Sequence, residues 1–228
     1  MPASTTRENP NGRRPTREAS GVPSNAMGAP LARMQVYVDA LPQGLDSYPE
    51  CVQKASIYRE FLVGIDCEAL RPELPPTLRA MIDAPAPVTA WVPEVHASAL
   101  FLAMSDTFAD DSAFVDHVYR GNRRLMDSPL YRLLFRVLGP RTILRGARSR
   151  WGLFHRGGVE MVLDLPSDND AKHAALTLEY PPRVIAPLLA LSYAGAFRAA
   201  AELSGAQNVS VRVQTHGSEH VTYALSWT

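Results

Sequence analysis

The stretch GVEMVLDLP, residues 158–166, decides how this chain folds. Upstream of it apolar residues recur every three or four positions. Here they alternate, with Val159, Met161 and Leu163 on one side and Glu160, Val162 and Asp164 on the other, which is the period of a strand with one covered face. Working outward, AALTLEYP (174–181) alternates in the same way. The polar segment SDNDAKH (167–173) lies between the two, so they read as an antiparallel hairpin. Residues 182–204, rich in Ala and Leu, read as a long helix stopped at Gly205. NVSVRVQ (208–214) and HVTYALSW (220–227) form a second hairpin, in which Val221, Tyr223, Leu225 and Trp227 face the core and His220, Thr222, Ala224 and Ser226 face away.

Before residue 158 the spacing predicts helices, with the folded part beginning near Asp46. VQKASIYREFLVGID (52–66) reads as one amphipathic helix ending by Gly64, and PPTLRAMIDA (75–84) as a short one with proline in its first turn. VPEVHASALFLAMSDTF (92–108) places Val95, Ala99, Leu102 and Met104 on a broad buried stripe. Residues 112–126 follow as a helix with Asp110–Asp111 where an N-cap belongs, then 128–139 capped by Ser128, then 141–158 stopping at Gly157–Gly158. MQVYVDAL (34–41) is expected as a short strand. The fold class is α+β, with N-terminal helices packed on one face of a small antiparallel sheet made of two hairpins separated by a long helix. Residues 34–228 make one domain, and residues 1–33, rich in Pro, Ser, Thr, Asn, Gly and Arg, form a disordered extension.

The 228 residues carry 23 basic and 23 acidic side chains, so the net charge is zero, but the distribution is lopsided. Residues 39–116 hold 13 acids against 4 bases, and residues 120–156 hold 10 arginines against the single Asp127. The two stretches either neutralise each other on folding or leave an arginine-rich face that attracts anions. Cys51 and Cys67 form neither a disulfide framework nor a CxxC pair and are expected as reduced thiols of a cytoplasmic protein. The first thirty residues lack the apolar core of a signal peptide. The longest charge-free apolar run, 184–197, is 14 residues, short of the ~20 a membrane span needs.

No GxSxG elbow, Walker loop, GxGxxG turn, HExxH or kinase signature is present, so the sequence assigns no catalytic residue, no metal and no cofactor. His96, alone on an otherwise apolar helix, is the histidine suited to a buried role, as a core imidazole or a haem ligand. His216 and His220 flank the last turn without a third ligand nearby, and His155 and His173 read as loop residues. Arg145 and Arg148 lie within one helical turn and are candidates for an anionic ligand. Ala190, Ala194, Gly195, Ala200 and Ala201 either permit close packing of the long helix or leave room for a ligand beside it, with Tyr193 and Phe197 on the same helix. Nucleic-acid binding rests on arginine density alone, because the interleaved aromatics follow core spacing.

The turn AWVPEV, the arginine-rich helices ending in W-x6-GGVEMVLDLP, and LSYAGAFRAAAELSGAQNVSVRVQ closing on HVTYALSW resemble a paralogous family expanded in myxobacteria. That family is distantly similar to four-vinyl-reductase-type domains, haem–nitric-oxide-binding domains and the TRAPP subunits of vesicle tethering. The resemblance covers about residues 48–227 and implies helices and a mainly antiparallel sheet enclosing a cavity for a small molecule, a porphyrin or an acyl chain. Two departures matter. Thr215 and His220 stand where the first group often has cysteines, and the Tyr-x-Ser-x-Arg signature for porphyrin carboxylates is absent. The reading is a non-enzymatic, cytoplasmic ligand-binding or regulatory domain, sensor-like, holding a small apolar or anionic molecule. The alternatives are a TRAPP-like adaptor acting as a homodimer and a haem or tetrapyrrole sensor ligated by His96.

Overall fold

The computed structural model describes residues 31–136, 139–168 and 171–228. Residues 1–30, most of the expected extension, lie outside the described residues. The first element, α1 (Ala32–Ala40), is a helix where a strand was expected. Its apolar residues explain the difference: Met34, Tyr37 and Leu41 are buried at helical spacing while Val36 is 71% exposed, so the helical period wins over the alternation. Folding thus begins before Asp46, with Leu31 already buried.

After a 3₁₀ turn (Gly44–Asp46) come β1 (Val52–Lys54) and α2 (Ala55–Phe61), so the first turn of the expected helix is in fact a strand. A short helix, α3 (Cys67–Leu70), a second 3₁₀ turn (Arg71–Glu73) and α4 (Pro76–Asp83), which begins on a proline, lead to β2 (Trp91–Pro93). The next helix, α5 (Glu94–Ser105), is buried on all sides except at His96, so it is the axis of the helical layer and carries no single stripe. The amphipathic α6 (Asp111–Asp127) starts where Asp110 Oδ1 accepts a hydrogen bond from the Ala113 amide at 2.8 Å. Gly121 lets α6 approach α2, since a Cβ there would lie 2.5 Å from the Phe61 ring.

The segment expected as two long helices is instead three short ones: α7 (Arg132–Arg136), α8 (Pro140–Arg145) and α9 (Ala147–Trp151). Ser128 closes a turn before α7, accepting from the Tyr131 and Arg132 amides. The expected helix then gives way to β3 (His155–Arg156), which pairs with β1. Gly157 makes this possible. It has φ +78°, and a Cβ there would fall 1.8 Å from the Glu50 carbonyl oxygen.

From here the architecture is the expected one. The strands β4 (Glu160–Asp164), β5 (His173–Glu179), β6 (Ser210–His216) and β7 (His220–Ser226) form an antiparallel sheet in the order β4-β5-β7-β6, with α10 (Pro187–Leu203) between the two hairpins. The register sets Leu176 opposite Tyr223 and Leu178 opposite Val221, and all four are buried on the face that α10 covers. Each such side chain contributes roughly 1.5–3 kcal/mol by leaving water. Tyr223 also donates a hydrogen bond to the Ala190 carbonyl at 3.1 Å and meets the Phe197 ring edge-to-face at 5.0 Å, fixing α10 on the sheet. The outer face is polar, with Thr177 and Thr222 hydroxyls 3.1 Å apart. The fold is α+β, as the alternation at 158–166 predicts.

Candidate functional site

The small sheet β2-β1-β3, which the sequence reading did not foresee, gathers the buried polar groups. Gln53 lies opposite Val92 on one side and opposite His155 on the other, so the Gln53 and His155 side chains share the inner face. Lys54, Trp91 and Arg156 share the outer face, with the lysine Nζ 3.9 Å and the arginine Cζ 4.1 Å from the Trp91 ring centroid. Glu94 enters α5 directly after β2, its backbone amide held by the Cys51 carbonyl at 2.8 Å. Its carboxylate is 1% exposed. Oε1 accepts from the Tyr193 hydroxyl at 2.8 Å and Oε2 faces His155 Nδ1 at 3.0 Å.

Trp151 covers this cluster. Its indole stacks on the His155 ring with centroids 3.9 Å apart and planes 11° apart, and its Nε1 donates to the Val159 carbonyl at 2.8 Å. Burial, then the neighbouring Glu94 charge, pushes the Tyr193 phenol well above its ordinary range, so the hydroxyl remains a donor. Cys51 donates to the Gly157 carbonyl, and burial pushes its thiol up to about 12, far from nucleophilic use.

Beside the cluster a cavity of about 140 Å³ runs between α10, the four-stranded sheet, α5, α6 and the short helices α7 to α9. It is the seam between two packing units. Leu176, Leu225 and Trp227 belong to the main core, and Leu125, Phe135, Ile143 and Phe154 to a smaller one. The lining is mostly apolar, with Gln53, Ser98, Asn122, His155, Ser192 and Tyr193 as its polar points and Arg150 as its one cationic residue among the described residues. Arg150 is already engaged, donating to the Leu134 and Ile143 carbonyls at 3.2 and 3.0 Å.

Of the residues singled out from sequence, Tyr193 and Phe197 line the cavity, together with Ala200 and Ala201. Gly195 faces α6 instead, where an added Cβ would meet Tyr119 at 3.5 Å, so the small residues of α10 divide between the two roles by helix face. His96 lies outside the cavity, half-buried at the turn near Leu45 and Asp46. Burial pulls its pKa down against a backbone hydrogen bond at Leu45 and the Asp46 charge. Arg145 and Arg148 are exposed and do not line the cavity, and Arg148 sits 3.6 Å from Glu160. Among the arginines after residue 120, Arg124 reaches the acidic stretch, at 2.6 Å from Glu60. His216 is bonded to the Ile185 carbonyl at 2.9 Å, and His220 is exposed.

His155, expected in a loop, is a 4%-exposed strand residue, and Gln53 and Glu94 were not singled out at all. The readable signal was Glu94, the one carboxylate on an otherwise apolar, fully packed helix. Among the described residues, no three His, Cys, Asp or Glu side chains are grouped to hold a metal ion, and no helix is long and apolar enough to cross a membrane.

Neither a family model nor a curated protein matches the sequence. The fold, however, is similar to that of solved H-NOX domains. One is an oxygen-binding H-NOX domain related to soluble guanylate cyclases, at TM-score 0.52 and 8% identity over 76% of this chain and 92% of that one. Another comes from work on haem distortion in the H-NOX family, at 0.54 and 7% over the same shares. A third is the Fe(II) unliganded H-NOX protein from K. algicida, at 0.53 and 9% over 77% of this chain and 96% of that one. At such identities the likeness is one of fold.

These neighbours raise the question of haem, and the residues here do not fit it. A cavity near 150 Å³ has room for about one benzene, far less than a porphyrin. Among the described residues, Arg150, the cation available to porphyrin carboxylates in the lining, is engaged by two backbone carbonyls, and the lining imidazole, His155, is stacked flat under Trp151.

Proposed function

We propose that this chain is a non-enzymatic, sensor-like ligand-binding domain of the cytoplasm that takes a small, mostly apolar organic molecule into the seam between its two cores. The apolar cavity bordered by the Tyr193–Glu94–His155 cluster carries this reading. The likeness to H-NOX domains supports it as a fold that encloses ligands, and the motif resemblance to the myxobacterial paralogous family belongs to the same proposal. A molecule lodged there touches α10, the sheet and α7 to α9 together, so its binding strengthens the docking of the smaller core on the larger. That is a physical basis for signalling by stabilisation.

Thermal shift and native mass spectrometry with small aromatic and aliphatic probes test the proposal. Saturation at 100 times Kd raises stability by about 2.7 kcal/mol. Ala201→Leu, which extends into the cavity, abolishes the gain, and haemin titration gives no Soret shift. A protein that no probe stabilises, or that takes up haem stoichiometrically, refutes the reading.

A second reading, an adaptor acting as a homodimer, draws on Leu130 and Leu133, 56% and 74% exposed at α7. A monomer whose sedimentation is independent of concentration removes it.

A further inference from the structure

We infer that the cross-strand pair Gln53–His155 is a head-group anchor, which makes the cavity selective for a hydroxyl-bearing molecule of about benzene's bulk over the bare hydrocarbon. This deepens the proposed function and rests on it.

Two buried polar side chains keep hydrogen-bonding atoms that have no protein partner among the described residues. His155 directs Nδ1 to Glu94, and its Nε2 makes no hydrogen bond among the described residues. Gln53, 2% exposed, likewise makes no side-chain hydrogen bond among the described residues. Both line the cavity, and the strand register holds them side by side. Two polar groups this deep are costly unless something meets them. Their positions are fixed from outside the cavity: His155 by Glu94 and the Trp151 stack, Gln53 by backbone pairing on both sides. The polar end is therefore preorganised.

The chemistry of the occupant follows from what is left to bond. Glu94 holds Nδ1, so Nε2 offers one interaction, while the Gln53 amide both donates and accepts. A hydroxyl, which also does both, satisfies the pair with one oxygen. A carboxylate would place a second negative charge beside Glu94 in an apolar lining, which burial opposes. The remaining walls are mostly apolar, since the Ser192 hydroxyl and the Asn122 amide nitrogen already donate to the Leu188 and Val118 carbonyls, and the volume of about 140 Å³ limits the body to about six carbons. Phenol and 1-hexanol are such molecules.

The experiment measures phenol and benzene affinities of the full chain, by calorimetry or ligand-observed NMR, for the wild type and for Gln53→Leu. The phenol-to-benzene preference of the wild type falls about tenfold in the variant, the loss of roughly one net hydrogen bond. Gln53→Met repeats the measurement should the leucine variant fail to fold. On the wild type alone, phenol shifts the His155 Nε2 resonance and benzene does not. If the preference is equal in wild type and variant, or the nitrogen does not respond, the anchor is refuted while the cavity reading stands. If neither probe binds, both fall.

Discussion

The two sheets of this molecule are built on opposite principles. The four-stranded sheet β4-β5-β7-β6 is long and apolar on its inner face, where Leu176, Leu178, Val221 and Tyr223 are buried and α10 docks through Tyr223. The sheet β2-β1-β3 has strands of three, three and two residues, and its inner face carries Gln53 and His155 beside Glu94. One sheet holds the domain together, and the other positions polar groups against the cavity.

The comparison breaks most readily at the larger sheet. Leu178→Ala removes a fully buried side chain at the sheet centre, and its expected cost is about 3–5 kcal/mol in chemical denaturation. A loss below 1 kcal/mol would mean that this face is not the packed centre of the fold.

The smaller sheet is sharpened by a double-mutant cycle. His155→Leu leaves Glu94 buried with one partner fewer and costs about 2–4 kcal/mol. The pair Glu94→Leu with His155→Leu costs less than the sum of the singles by at least 1 kcal/mol. Strict additivity would show that the two groups are not coupled. At the far end of the scale, Arg148→Ala changes stability by less than about 0.5 kcal/mol and leaves probe binding unaltered, because its contact with Glu160 is in solvent.

The same contrast explains what was legible. Strands of five to seven residues with one covered face leave alternation in the sequence, so GVEMVLDLP, AALTLEYP and HVTYALSW reveal both hairpins, and the Ala/Leu run between them reveals α10. Tyr193 and Phe197 drew attention because they sit on that helix, and both line the cavity. Strands of two or three residues carry no period. Val52 and Gln53 looked like the start of α2, and His155 like a loop residue, because their strand state comes from pairing with each other, which no local window contains. Arg145 and Arg148 drew attention by charge density, a property of the solvated side of α8 and α9. His96 stood out as a lone histidine, yet it occupies the one position of α5 that faces away from the packed interior.

The pairing of Gln53 with His155 also has a consequence in time. The two strands are separated by most of the helical layer, so loop closure delays their meeting until α2 through α9 exist. On a ribosome the Gln53–His155 pair is therefore absent from any nascent chain that stops short of His155. Any molecule bound at this pair would meet two strands that had already closed on each other.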